Sequence, residues 1–74
     1  MARLIRLDRS GHSELAQWTA ADPGSYERAS TVFEDQLAGG YMGVAKLTDD
    51  SYEQVRELPA DVELVMLRRP IAGG

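Results

Sequence analysis

Between Tyr26 and Leu37 the apolar residues Tyr26, Ala29, Val32, Phe33 and Leu37 recur at spacings of three and four, while Glu27, Arg28, Glu34 and Asp35 fall mainly on the other face. This is the one stretch of helical period in the chain. A single amphipathic helix cannot bury its apolar stripe alone, so the rest of the chain must supply the layer that covers it. The start of the helix is written in Asp22-Pro23-Gly24-Ser25: Asp22 or Ser25 can accept a bond from the orphan N–H groups of the first turn, and Pro23 cannot continue a strand interior. Its end is written in Gly39-Gly40, because glycine takes up the left-handed cap conformation at almost no cost.

The flanking segments read as strands. Arg3 to Asp8 alternates loosely, with Ile5 and Leu7 on one face between Arg3, Arg6 and Arg9, and stops at the turn Arg9-Ser10-Gly11-His12. Glu14 to Thr19 is placed to pair with it as the second arm of a hairpin, although its alternation is poor. After the helix, Tyr41 to Leu47 predicts a third strand, Thr48-Asp49-Asp50-Ser51 a polar turn, and Tyr52 to Leu58 a fourth strand diluted by Glu53, Gln54, Arg56 and Glu57. Pro59-Ala60-Asp61 breaks the chain again, and the nearly continuous apolar run Val62 to Leu67 predicts a strand buried on both sides. The order strand, strand, helix, strand, strand, strand predicts an α+β two-layer domain: a sheet of four to five strands with one helix packed across one face.

A chain of 74 residues has room for one core and no cleft between lobes, which points to a single surface site. It has no cysteine, hence neither a disulfide framework nor a thiolate metal site to staple a small fold. No apolar run approaches the roughly 20 residues that span a bilayer, and Met1 to Arg6 carries no long apolar stretch of the signal-peptide kind. A cytoplasmic address with no membrane partner is the expectation. Eight basic residues against twelve acidic ones, a net charge of -4, argue against nucleic acid, whose phosphates call for a basic surface.

The last seven residues, Arg68-Arg69-Pro70-Ile71-Ala72-Gly73-Gly74, lose the strand pattern and finish in two residues without side chains. The division expected is a folded domain over residues 1–67 and a flexible diglycine tail over 68–74. A buried strand followed by a basic, proline-bearing stretch and Gly73-Gly74 resembles the C-terminus of ubiquitin and of its bacterial relatives, the ubiquitin-like β-grasp proteins. Pro70-Ile71-Ala72-Gly73-Gly74 is similar to the ends of the small sulfur carriers of molybdopterin and thiamine synthesis, while Arg68-Arg69 is similar to the arginines of the ubiquitin tail. The likeness covers length, element order and the final dozen residues, and does not extend residue by residue through the first forty. Seven of the eight basic residues are Arg, which, with abundant Ala, fits a GC-rich bacterial genome.

The resemblance implies a β-grasp fold, a mixed sheet of four to five strands with the helix packed across one face, and a chain that is substrate and carrier rather than enzyme. An ATP-dependent activating enzyme would bind the folded surface, recognise the tail through Arg68, Arg69, Pro70, Ile71 and Ala72, and adenylate the Gly74 carboxylate next to Gly73; glycines suit a narrow channel because they carry no side chain. The acyl adenylate then passes to a thiolate or amine to give a conjugate, with a conjugating enzyme and a deconjugating peptidase as further partners, or takes sulfur to become a thiocarboxylate. The Arg68-Arg69 pair favours the conjugated modifier, and Pro70-Ile71-Ala72 the sulfur carrier. A non-covalent binding module is the third reading. No cofactor is implied for the chain itself. Because Lys46 is the only lysine, it and the N-terminus are the amines of this chain that could accept a conjugate.

Other residues have plainer readings. His12 is the lone histidine and lacks the second base, nucleophile or ligand that catalysis or metal binding needs, so it reads as a solvated turn residue. Trp18 reads as core, Asp49-Asp50 as a turn without calcium-loop spacing, and Gly39-Gly40 as a cap. Arg68-Arg69 also fits ordinary solubilising charges. Tyr41, Met42, Val44 and Leu64 are candidates for an exposed apolar patch. With no cysteine, one histidine and no phosphate-binding glycine loop between strand and helix, the chain is not expected to be an enzyme.

Overall fold

The chain opens with a two-residue reversal. In a computed structural model that describes residues 1–69, strand β1 (Ala2–Asp8) turns through Arg9-Ser10 into strand β2 (Gly11–Trp18). The Asp8 carboxylate caps the turn, accepting hydrogen bonds from Ser10 N at 2.9 Å and Ser10 Oγ at 2.7 Å, and Gly11 takes a φ of 126° that a side chain would resist. Leu4 pairs with Ala16 and Ile5 with Glu14, so Leu15 is an extra residue, a β-bulge. The bulge explains the poor alternation of this arm. β2 also begins at Gly11, which puts His12 inside the strand opposite Leu7 rather than in the turn.

Asp22 is the helix cap. Its carboxylate accepts from Gly24 N at 3.1 Å, and Pro23 opens helix α1 (Pro23–Ala38). Ser25, the other cap candidate, is buried and ties the loop to the helix instead, its Oγ accepting from Thr19 N at 3.0 Å and donating to the Asp22 carbonyl at 2.6 Å. At the far end Tyr41 N donates to Gln36 O at 3.0 Å and Gly40 N to Leu37 O at 3.1 Å, with Gly40 at φ 101°. That is a Schellman cap, and it places the left-handed residue at the second glycine of the pair.

Strands β3 (Met42–Lys46) and β4 (Tyr52–Val55) form a second hairpin, and β5 (Leu64–Arg68) completes the sheet. The strand order is β2-β1-β5-β3-β4. β5 runs parallel to β1 and antiparallel to β3, so the last strand in sequence lies in the middle of the sheet. A mixed five-stranded sheet in this order with one helix across one face is a β-grasp-like α+β fold.

The core lies between sheet and helix. Leu4, Val65, Leu67 and Ala45 from the sheet meet Ala29 and Phe33 from the helix, all fully buried, and Trp18 and Leu58 close the end. Each of Leu4, Phe33, Val65 and Leu67 contributes about 1.5–3 kcal/mol by leaving water, the stabilisation a chain without a disulfide relies on. Three strands are shorter than the apolar patterns predict, β3 by its end residues Tyr41 and Leu47. β4 stops at Val55, and Leu58 enters the core from the following loop, where its carbonyl accepts a hydrogen bond from the Tyr26 hydroxyl. β5 starts at Leu64 and buries one side only: Val65 and Leu67 face the helix, while Leu64 and Met66 lie half-buried on the outer face.

Candidate functional site

Register decides which side chains share a surface. β3 pairs Met42 with Arg68 and Lys46 with Leu64, so Arg68 and Lys46 stand at opposite ends of the sheet. Lys46 ends β3 with its side chain 41% exposed and its Nζ 3.7 Å from Asp50 Oδ1. Asp50 holds a φ of 65° in the turn that Asp49 caps through hydrogen bonds from Ser51 N and Oγ. The lysine amine is thus solvent-accessible and ion-paired to one exposed carboxylate, a contact that water and salt weaken to a fraction of a kcal/mol.

Arg68 is the final residue of β5 and is exposed; Arg69 follows it, also exposed, with its guanidinium 5.0 Å from the centre of the Tyr41 ring. Arg6 lies 5.6 Å from the same ring. Two guanidiniums on one ring are held in place by its electron-rich faces. Arg6 also donates from Nη1 to Gln36 Oε1 at 3.4 Å, but its Nε is buried without a hydrogen-bond partner. Leu7, Asp8, Arg9, Tyr41, Arg68 and Arg69 line a shallow cavity of about 580 Å³ at this end. The predicted tail positions Pro70, Ile71, Ala72, Gly73 and Gly74 lie outside the described residues.

The outer face of the sheet carries apolar residues, with one change from the expected set. Met42, Val44 and Leu64 lie there, joined by Ile5, Leu7 and Met66, which share their register. Tyr41 does not: it packs against the core on the helix side and holds the arginines. Strand alternation carried the signal, since Tyr41 is one residue before Met42 and must face the other way. The same rule locates Arg6, which sequence reading left unassigned: it follows Ala2 and Leu4 at a spacing of two and therefore falls on the helix side, at the rim of the core.

His12 is exposed as expected, though in strand β2 rather than in the turn, and Trp18 is 2% exposed, in the core as expected. Among the described residues no group of three or more His, Cys, Asp or Glu side chains could hold a metal ion, and no helix is long and apolar enough to cross a membrane. No family model, no curated protein and no solved structure matches this chain.

Proposed function

We propose that this chain is a bacterial ubiquitin-like protein modifier of the cytoplasm, activated at the Gly74 carboxylate and conjugated to an amine of a target. In this reading a carboxylate oxygen attacks the α-phosphorus of ATP in an activating enzyme, and pyrophosphate leaves. An enzyme thiolate then displaces AMP from the acyl adenylate, and a target amine displaces the thiolate to leave an amide. The chain contributes a folded handle and a side-chain-free end; the chemistry belongs to the activating and conjugating enzymes, and a peptidase would reverse it.

One observation carries the reading: the central strand of a β-grasp-like sheet delivers two exposed arginines, Arg68 and Arg69, directly into the sequence Pro70-Ile71-Ala72-Gly73-Gly74. An enzyme that grips the sheet end by its charge would have the diglycine within reach. Pro70-Ile71-Ala72 supports the sulfur-carrier alternative, in which sulfide equivalents displace AMP and leave a thiocarboxylate. The third alternative, a non-covalent module, needs only the folded surface.

The test is intact-mass spectrometry of the chain ending at Gly74, incubated with ATP and an adenylating enzyme encoded beside it that is active in ATP–pyrophosphate exchange. A covalent product that disappears when Gly74 is deleted supports activation, and its mass separates conjugate from thiocarboxylate. An unchanged mass with both ends overturns the proposal and leaves the binding module.

A further inference from the structure

Charge on this chain is sorted along the strand direction. Among the described residues, Arg3 Nε lies 2.9 Å from Glu14 Oε1, Arg28 Nη2 lies 3.6 Å from Asp22 Oδ2, and Lys46 Nζ lies 3.7 Å from Asp50 Oδ1. Arg6, Arg9, Arg56, Arg68 and Arg69 pair with no described carboxylate. All of these fall at the end of the sheet where β1, β5 and β4 finish and β3 begins. Arg6 is in register with Leu67 and Arg68 with Met42; Arg9 follows β1 and Arg69 follows β5; Arg56 follows Val55, the partner of Gly43. Asp49, Asp50, Asp61 and Glu63 occupy the opposite end. A chain of net charge -4 has gathered its unneutralised cations in one place, where they repel each other.

Among the described residues no carboxylate forms an ion pair with them, although the Arg6 charge acts on Asp8 without direct contact. Asp8, the carboxylate in the cavity lining, is already engaged by Ser10 N and Oγ. Arg6 Nε is buried without a partner, and such an unmet donor typically costs about 1–3 kcal/mol. Tyr41 meanwhile holds the guanidiniums of Arg6 and Arg69 against its ring, 5.6 and 5.0 Å from its centre, so little freedom is lost when their N–H forks receive an acceptor.

We propose that this arginine end is a docking surface for a short, extended acidic peptide segment of a partner protein. Carboxylates match the planar guanidinium fork in two parallel hydrogen bonds. From β1 across β5 and β3 to β4, strands spaced about 4.8 Å apart span about 14 Å, the length of roughly four extended residues. Exposed Leu7 and half-buried Tyr41, set among the arginines, give apolar contact that a peptide side chain can use. A long polyanion fits less well, because exposed Glu57 follows Arg56, and exposed Glu34 and Asp35 precede Gln36, the hydrogen-bond partner of Arg6, and these carboxylates repel what extends past the patch. The inference goes beyond the modifier reading and holds whether or not Gly74 is activated.

Fluorescence anisotropy with a fluorescein-labelled hexaglutamate peptide and the full chain tests it. Binding is expected below about 1 mM at low ionic strength, weakening with added salt. Replacing the exposed pair together, Arg9→Ser with Arg56→Ser, is expected to weaken binding about tenfold with the urea midpoint unchanged, while Lys46→Ser at the opposite end leaves binding as it was. No anisotropy change up to millimolar protein overturns the proposal. So does an equal loss in Lys46→Ser, which would mean general charge attraction, and so does tighter binding of a labelled oligothymidylate of the same length, which would assign the surface to nucleic acid.

Discussion

Gly43 lies directly beneath the ring of Phe33: a Cβ at Gly43 would sit 2.5 Å from Phe33 Cε1 and 2.6 Å from Phe33 Cζ. The helix approaches β3 this closely only because residue 43 has no side chain. Gly43 is in register with Leu67 of the central strand, so the contact fixes the height of the helix over the middle of the sheet. Gly43→Ala is expected to cost about 1–3 kcal/mol, the usual penalty for forcing a methyl group into a filled core. Phe33→Leu added to that variant should recover part of the loss, since it opens the space the methyl group needs. A urea midpoint that does not move in Gly43→Ala would refute the contact.

The Tyr26 hydroxyl donates to the Leu58 carbonyl, and Trp18 Nε1 donates to the Ala60 carbonyl at 3.4 Å. These two bonds, with the buried Leu58 side chain, anchor the loop between β4 and β5. Tyr26→Phe is expected to lower stability by about 0.5–1.5 kcal/mol. It should also speed amide hydrogen exchange through residues 58–62, while exchange in β1 changes only as much as global stability does. Uniform acceleration everywhere would show that the loop has no local tether.

Asp8 is held below its ordinary value of 3.8, first by the Ser10 hydroxyl and next by the Ser10 N–H, and Asp49 is held down by Ser51 in the same order. A carboxylate with a lowered folded-state pKa binds its proton more weakly folded than unfolded. Its contribution is complete above that ordinary, unfolded value of 3.8 and is lost as the pH falls through the lower folded one. The two turns should therefore loosen only below about pH 4. Ser10→Ala should raise the Asp8 titration midpoint, followed by carboxyl-carbon NMR. A midpoint at or above the ordinary value in the unaltered chain would contradict the cap.

Arg6 sets stability against recognition. Its buried Nε has no partner, so Arg6→Met, which keeps the aliphatic stem and removes the unmet donor, is expected to leave stability unchanged or raise it by about 1 kcal/mol. The same variant should bind hexaglutamate more weakly. Loss of more than about 1 kcal/mol in thermal unfolding would mean that the stacking on Tyr41 and the Gln36 bond outweigh the unmet donor.

Much of this architecture was legible in the chain because it depends on local chemistry. The helix could be read from its period, Asp22 and Pro23 from the cap, and the two hairpins from their turn residues. The middle strand was legible in part: its apolar run predicts burial, but pairing with β1 and β3 at once is a long-range choice that no local pattern encodes. β2 was blurred by the extra residue at Leu15, which breaks a two-residue alternation wherever it falls. Leu58 mimicked strand, since a buried leucine looks the same whether a ladder or a loop carries it. For the candidate site, Arg68 and Arg69 could be read from their place after an apolar run. Arg6, Arg9 and Arg56 could not, because only the register brings them to the same end.

The strand order also dictates when the fold can exist during synthesis. The β1–β2 and β3–β4 hairpins share no ladder with each other; each is joined to the rest through β5. Until Leu64–Arg68 has emerged, a nascent chain holds two hairpins with no ladder between them, bridged by the helix alone and each presenting a bare edge to any other strand it meets. Loss of β5 would therefore leave no weakened domain but two hairpins with open edges, and the strand that leads toward the proposed attachment point is also the one that joins the sheet.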